Sequence, residues 1–213
     1  MNNVLLFPGG FKPFHDGHLS ILESHIYNLD NIPINEVKIY ISNKGRDFIP
    51  DAELTYDFLD SIKNNLEDEY NVKFSIEICD NVTPIRKCYI TAGNIEEDMC
   101  HNVYGLVSSN KDNDIIRKRD FADAYSKNGK YYNESIGERT IFINTNVEPS
   151  LYLLRNDDLI DTPISSTIVR KDIKNNDFYN FSCDYTYMLY KRFIIRDELK
   201  MYFDILRKLY KND

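Results

Sequence analysis

Two histidines three residues apart follow a pair of glycines near the start of the chain, in the run P-G-G-F-K-P-F-H-D-G-H at residues 8–18. Imidazole N–H groups donate hydrogen bonds and can stabilise charge that develops on phosphoryl oxygens. Residues three apart at a helix start lie on one side, so His15 and His18 can face the same anion. Gly9 and Gly10 let a ligand approach the backbone closely and permit positive φ. This order of residue types predicts a triphosphate site.

The segments on either side of this run are a predicted strand and a predicted helix. Residues 4–7 form a short apolar run that ends at a Pro-Gly-Gly breaker, which is typical of a central strand buried on both faces. From residue 19 onward, apolar residues recur at three- and four-residue steps, so a helix begins close to Gly17 or His18. The N-terminus of that helix favours a bound phosphate, because it carries unpaired N–H groups and a partial positive charge.

A second candidate anion site lies in the run I-S-S-T-I-V-R at residues 164–170. Pro163 and the Ser-Ser-Thr run predict another helix start, with Ser165 or Ser166 as the cap and Arg170 one turn inside the helix. Standing alone, such a run would indicate only an ordinary helix cap. Its pairing with the first run favours a functional interpretation.

Together the two runs resemble the signatures of the HxGH nucleotidyltransferase superfamily, G-x-F-x-P-x-H-x-G-H and I-S-S-T-x-x-R. The first signature is matched at six positions: Gly9, Phe11, Pro13, His15, Gly17 and His18. The superfamily includes the nicotinamide-mononucleotide and phosphopantetheine adenylyltransferases and the glycerol-3-phosphate cytidylyltransferases. The resemblance implies transfer of a nucleoside monophosphate from a nucleoside triphosphate to a small phosphate-bearing acceptor, with release of pyrophosphate. It also implies Mg²⁺, bound mainly through the substrate phosphates, and no metal-ligating residue is assigned.

The resemblance further assigns roles to residues. The catalytic candidates are His15, His18, Lys12 and Arg170. In these roles the histidines stabilise the transferred phosphate, Arg170 holds the leaving pyrophosphate, and Lys12 or Lys44 assists. The candidates for binding nucleotide and phosphate are Pro8, Gly9, Gly10, Phe11, Gly17, Lys44, Arg46, Lys111, Ser165, Ser166 and Thr167.

A predicted strand precedes each of four candidate cations: Lys44, Arg46, Arg86 and Lys111. Lys44 and Arg46 come after the second strand, Arg86 after the third and Lys111 after the fourth. Ligands of doubly wound sheets bind at such strand ends, and Arg86 is the candidate for binding the acceptor. For each of them a solvated loop is the plain alternative.

The choice of nucleotide depends on the residues before the second run. Cytidylyltransferases of this superfamily usually carry R-T-x-G there, whereas residues 160–163 of this chain read I-D-T-P. This difference favours an adenylyltransferase that uses ATP, for example in NAD synthesis. The alternatives are a cytidylyltransferase that uses CTP on a polyol, sugar or lipid-head phosphate, and a nucleotide-binding or assembly protein without turnover. Lys12 replaces the common Asp, Asn or Gln, so acceptor specificity does not transfer.

Alternating strands and helices predict an α/β fold with a Rossmann-like, doubly wound parallel sheet of about five strands. The predicted strands cover residues 4–7, 37–42, 73–78, 103–108 and 140–144, with a further short strand at 151–154. Residues 109–139 are a candidate lid with a helix from 120 onward, and Arg117 and Arg119 are its cations. Residues 1–175 form the predicted nucleotidyltransferase domain and 176–213 a C-terminal helical extension. The apolar stripe of that extension favours packing on the domain over a homo-oligomer contact.

Composition restricts the partners. The chain has 213 residues and a formal net charge of −8, which argues against broad nucleic-acid binding because such binding needs a basic face. No apolar stretch reaches the length of a membrane span and no charged n-region begins the chain, so we expect no membrane partner. The expected location is the cytoplasm, or the host cytoplasm if the protein is viral.

Overall fold

A parallel sheet of five strands forms the centre of the computed structural model. Its strands are β1 (Asn3–Gly9), β2 (Glu36–Ser42), β3 (Lys73–Cys79), β4 (Val103–Leu106) and β5 (Ile141–Phe142). The strand order is β3-β2-β1-β4-β5, and every neighbouring pair is parallel. Since β1 pairs with β2 on one side and with β4 on the other, the winding reverses between β1 and β4. The predicted doubly wound, Rossmann-like sheet is confirmed.

The structure describes residues 2–27, 33–44, 51–94, 103–109, 111–132, 141–142, 152–155, 158–163, 165–175 and 196–211. Arg46 and the last part of the candidate lid, residues 133–139, lie outside these ranges. Within them, no helix has the length and apolar character needed to cross a membrane.

Six helices accompany the sheet in the described ranges: α1 (Asp16–Tyr27), α2 (Ala52–Tyr70), α3 (Pro84–Gly93), α4 (Asp112–Ala124), α5 (Ser166–Asn175) and α6 (Arg196–Lys211). Side chains cap α2 and α3 at their N-termini. Asp51 begins α2 by accepting from the backbone N–H of Leu54 at 2.7 Å, and Thr83 begins α3 by accepting from the N–H of Arg86 at 3.3 Å.

Two elements differ from the prediction. Helix α4 begins at Asp112 rather than near residue 120, so Arg117 and Arg119 lie on a helix and not in a loop. Its sequence D-N-D-I-I-R-K-R-D is highly charged, and this obscures the helical period. Lys118, which reads as one of three solvated cations, is buried. The short strand near residue 152 is β6 (Tyr152–Arg155), and it pairs antiparallel with an unpredicted strand, β7 (Asp158–Pro163).

The core consists of two apolar layers, one on each face of the sheet. Leu5 and Phe7 of β1 belong to one layer, and Val4 and Leu6 belong to the other. This alternation explains the continuous apolar run of β1, because a strand covered on both faces needs apolar side chains at every position. The first layer includes residues of α1, α2, α5 and α6, and the second includes residues of α3 and α4.

The C-terminal helix α6 is part of the first layer. Tyr202 stacks on Phe58 of α2 with ring centroids 4.5 Å apart and an interplanar angle of 18°, and Phe203, Leu206 and Tyr210 are buried beside it. The opposite side of α6 exposes Met201. The helix therefore packs on the sheet layer, which is the arrangement favoured by its apolar stripe.

This packing predicts unequal costs for two neighbouring substitutions. Tyr202→Ala removes a buried aromatic ring and should lower the free energy of unfolding by about 3 kcal/mol. Met201→Ala, at a side chain that is 62% exposed, should change it by less than about 0.5 kcal/mol. Urea unfolding followed by circular dichroism measures both. Equal costs would contradict the assigned helix face.

A buried histidine on α1 predicts how stability depends on pH. The ring of His25 is 1% exposed, and its Nδ1 donates to the carbonyl of Ile21 at 2.8 Å. Burial, opposed by the hydrogen bond to Ile21 and assisted by the charge of Lys118, lowers the pKa of His25 to about 4. In the unfolded chain the pKa is about 6.5. Between these two values the unfolded state binds more protons, so stability falls as the pH falls from about 6.5 to about 4.

Replacing this histidine should therefore flatten the pH profile. In that window His25→Gln should reduce the slope of unfolding free energy against pH by up to about 1.4 kcal/mol per pH unit. Chemical denaturation of wild type and variant at pH 7.5, 6, 5 and 4.5 measures the slopes. Equal slopes for wild type and variant would contradict this prediction, because they would mean that His25 has the same pKa in the folded and unfolded states.

Candidate functional site

The turn between β1 and α1 lies where the winding of the sheet reverses. The strand β4 runs beside β1, and the backbone N–H of Val107 donates to the carbonyl of Leu6 at 2.8 Å. In sheets of this type a crevice for ligands opens at the carboxyl ends of the strands, at this reversal. The residues of the first run therefore lie at the place in the fold best suited to a nucleotide.

The turn has a conformation that its glycines alone do not explain. Phe11 takes the left-handed conformation, with φ of +50°, and its ring folds back over Gly9. A β-carbon on Gly9 would lie 2.5 Å from that ring, whereas a β-carbon on Gly10 would meet open space. We expected the glycines to supply positive φ and room for a ligand. In the structure Phe11 supplies the positive φ, Gly9 makes room for the Phe11 ring, and Gly10 alone leaves open space.

The two histidines lie side by side as predicted. Their rings stack with centroids 3.8 Å apart, and the backbone N–H of His15 donates to Nδ1 of His18 at 3.2 Å. Because Nδ1 of His18 accepts, the proton of the neutral ring lies on Nε2. His18 therefore presents one N–H donor whose position is set by the turn itself.

Both histidines are neutral at physiological pH. Burial lowers the pKa of His15 well below its usual value, and the nearby His18 and Arg170 lower it further. Burial also lowers the pKa of His18. Neutral rings still donate through N–H groups, so the pair can contact phosphate oxygens without carrying a charge. The positive charge of the site must then come from elsewhere.

Helix α5 brings the second run to the first. Ser165 caps the helix: its Oγ accepts from the N–H of Ile168 at 3.4 Å, which decides between the two predicted caps. The hydroxyl of Ser166 lies 3.1 Å from Nε2 of His15. The guanidinium of Arg170 donates to the carbonyl of Lys12 at 2.8 Å and to the hydroxyl of Thr167 at 3.1 Å. The N-terminus of α5, an arginine and both histidines therefore share one location.

Lys12 lies at the centre of this arrangement. Its side chain is buried, with 8% exposed, and its ammonium donates to the carbonyl of Lys44 at 3.3 Å. Burial lowers the pKa of Lys12, and the opposite charge of Asp51 partly restores it. The residue predicted to assist catalysis is thus bonded to the protein through its backbone and its side chain.

The other candidate cations that the structure describes lie past the ends of strands. Lys44 is exposed just past β2, Lys111 is exposed at the start of α4, and Arg86 is exposed in the first turn of α3. Arg117 forms an ion pair with Asp114 at 2.9 Å. The roles of Lys44, Lys111 and Arg86 stay predictions.

Two residues at the site were not found from the sequence. Thr55 in α2 directs its hydroxyl toward the carbonyl of Phe11 at 3.4 Å, and Asp51 is the acidic neighbour of Lys12. The helix-capping pattern D-A-E-L at residues 51–54 was a detectable signal for α2. Nothing in that pattern indicates contact with a turn 40 residues earlier, because the contact depends on how α2 packs against the sheet.

The chain is similar in sequence to one known adenylyltransferase and in fold to another. No known family model matches the chain. A phosphopantetheine adenylyltransferase of Mycoplasma capricolum is 31% identical over 94 residues, which cover 42% of this chain and 62% of the relative. The match thus spans less than two thirds of the relative. The structure of Plasmodium falciparum nicotinic acid mononucleotide adenylyltransferase, complexed with NaAD, superposes with a TM-score of 0.57 at 19% identity over 100% of this chain and 99% of that chain.

The chain is thus homologous over 94 residues to one adenylyltransferase and shares the fold of another, as the predicted resemblance requires. The sequence match shows the homology, and the structural match shows the shared fold. Both signature runs of this chain meet at one edge of the sheet, through His15 and Ser166 and through Lys12 and Arg170.

The histidine geometry predicts the protonation states in solution. From pH 8 to pH 5.5 the ring nitrogens of His15 and His18 should keep neutral ¹⁵N shifts, and His18 should show the Nε2–H tautomer. Two-bond ¹H–¹⁵N NMR spectra measure this, with single His→Gln variants for assignment. A titration midpoint near 6.5 for either ring would contradict the burial described above.

Proposed function

We propose that this protein is an adenylyltransferase. It transfers AMP from MgATP to a small phosphate-bearing acceptor and releases pyrophosphate. One observation carries the proposal: the stacked pair of His15 and His18 lies against the N-terminus of α5, where Ser166 and Arg170 are bonded to the same turn. The homology to a phosphopantetheine adenylyltransferase supports the adenylyl group.

The reaction needs positioning and charge neutralisation rather than a protein nucleophile. A phosphate oxygen of the acceptor attacks the α-phosphorus of ATP in line, and a new P–O–P linkage forms. The bond between the α-phosphorus and the bridging oxygen to the β-phosphate breaks, and its electron pair leaves with pyrophosphate. An ionised phosphate is already a nucleophile, so no general base is required.

Each part of the site has a task in this reaction. The N–H donors of His15 and His18 stabilise the charge on the oxygens of the α-phosphate as it becomes pentacoordinate. Arg170 and the N-terminus of α5, with Ser165, Ser166 and Thr167, hold the β- and γ-phosphates. Pro8, Gly10 and Gly17 border the phosphates, while Gly9 and Phe11 maintain the shape of the turn.

MgATP brings its own cation. Among the described residues no group of three or more His, Cys, Asp or Glu side chains is placed to hold a metal ion. We therefore propose that Mg²⁺ enters on the phosphates of ATP, where oxygen ligands suit it.

The acceptor side lies toward β2 and β3. Lys44, Arg46 and Arg86 follow those strands, and Lys111 follows β4 on the nucleotide side. We propose that the acceptor phosphate approaches from the β2 side. Nicotinic acid mononucleotide and phosphopantetheine are the two acceptors to test first, because the two related proteins carry these names. We propose a cytoplasmic location, where such substrates occur.

Nucleotide binding tests the first half of the proposal. Thermal unfolding is measured for wild type with MgATP, MgCTP, MgGTP or MgUTP. At a hundredfold excess over Kd, binding adds about 2.7 kcal/mol, a shift of several degrees. We expect a shift with ATP that is lost in Arg170→Ala. A shift with CTP alone would favour the cytidylyltransferase, and no shift with any nucleotide would overturn the catalytic proposal.

Pyrophosphate release with each acceptor tests the second half. His18→Ala and His15→Ala should each lower kcat by about 10²–10³-fold, which is the usual cost of losing one donor to a developing oxyanion. His25→Gln is the matched control at pH 7.5, because His25 lies on the same helix outside the site. Equal losses in all three variants would show that the histidines act only through folding.

A further inference from the structure

One residue connects the three chain segments that form the site. The backbone carbonyl of Lys12 accepts from Arg170 of α5, and the ammonium of Lys12 donates to the carbonyl of Lys44 after β2. Lys12 itself belongs to the turn after β1. The triphosphate side is therefore bonded to the backbone of Lys12, and the acceptor side is bonded to its side chain.

The environment of the ammonium favours this bond over a bond to a free ligand. The side chain is 8% exposed, so little of it meets solvent. Asp51, which caps α2, supplies the nearby opposite charge. A buried cation needs such compensation, because burying an unpaired charge is costly. The Lys44 carbonyl and Asp51 together provide it from within the protein.

The segment held in this way is an exposed one. Lys44 lies just past the end of β2 and is exposed, and its N–H donates to the hydroxyl of Ser42 at 3.3 Å. Two hydrogen bonds therefore hold Lys44, one short-range and one from Lys12. The bond from Lys12 is charge-assisted, because its donor is an ammonium group.

We propose that Lys12 is a positioning residue: its ammonium holds the segment after β2, and with it the acceptor-side cation Lys44, against the turn that binds the triphosphate. The inference rests on the proposed function for its effect on turnover. Loss of the ammonium should weaken use of the acceptor and spare ATP, because the bond from Arg170 goes to a backbone carbonyl that every substitution retains.

The test uses Lys12→Met, which keeps the length of the side chain and removes the charge, and Lys12→Arg, which restores a cation. Lys63→Met on α2 is the matched control, since it removes a lysine from the body of the domain. Three quantities are measured in the intact chain: the rate of trypsin cleavage after Lys44, the Kd of MgATP by calorimetry, and kcat and KM for the acceptor.

We expect cleavage after Lys44 to be about tenfold faster in Lys12→Met. Cleavage after Lys127, an exposed lysine past the end of α4, should be unchanged. The Kd of MgATP should stay within about threefold of wild type, and KM for the acceptor should rise about tenfold with a smaller change in kcat, the effect expected for one lost charged hydrogen bond. Lys12→Arg should recover most of both effects, and Lys63→Met should behave as wild type.

A tenfold loss of MgATP affinity in Lys12→Met would overturn the inference and make Lys12 a direct phosphate ligand. Unchanged cleavage after Lys44 would also overturn it. If Lys12→Met does not fold, Lys12→Gln takes its place in the same three measurements. If wild type releases no pyrophosphate with either acceptor, the proposed function fails, while the cleavage and MgATP arms still decide the role of Lys12.

Discussion

The rest of the site depends on the left-handed conformation of Phe11. A non-glycine residue with positive φ costs on the order of 1–2 kcal/mol. Phe11 is 3% exposed, and the centroid of its ring lies 4.8 Å from that of Phe7 and 5.6 Å from that of Phe14. Burial of this ring stabilises the folded state by about 2–3 kcal/mol. The burial therefore offsets the strain, and the turn needs a glycine at residue 9 to make room for the ring.

That turn joins the beginning of the domain to its end. His15 and Ser166 are 151 residues apart, and Lys12 and Arg170 are 158 apart. Neither half of the proposed phosphate site has its partners until α5 packs on the first core layer through Val169. The site is thus a product of long-range packing, although each half is a local motif.

The site combines neutral hydrogen-bond donors with a few sources of positive charge. The chain carries a net charge of −8, and its two site histidines are held neutral by burial. Positive potential at the turn comes from Arg170 and from the start of α5. The site is therefore a small region of positive potential on an acidic protein. This arrangement favours a small anion over an extended polyanion such as nucleic acid.

The sequence by itself determined the elements with strong periods and the residue types of the site. The apolar run of β1, the stripe of α1, both signature runs and the side-by-side histidines were all predicted, because each depends on neighbours within a few residues. Helix α4 was placed about eight residues too late, since its charged sequence hides the buried Lys118 and Phe121. Strand β7 was missed although its pairing with β6 is local, with only residues 156 and 157 between the two strands.

Only the tertiary structure decided which residues meet. It brought Ser166 to His15 and Arg170 to Lys12, gave positive φ to Phe11 rather than to a glycine, and bonded the Lys12 ammonium to the carbonyl of Lys44. No local pattern encodes these contacts. They follow from the order of the strands and from the packing of α5 and α2 on one face, and such packing depends on the whole core rather than on any one segment.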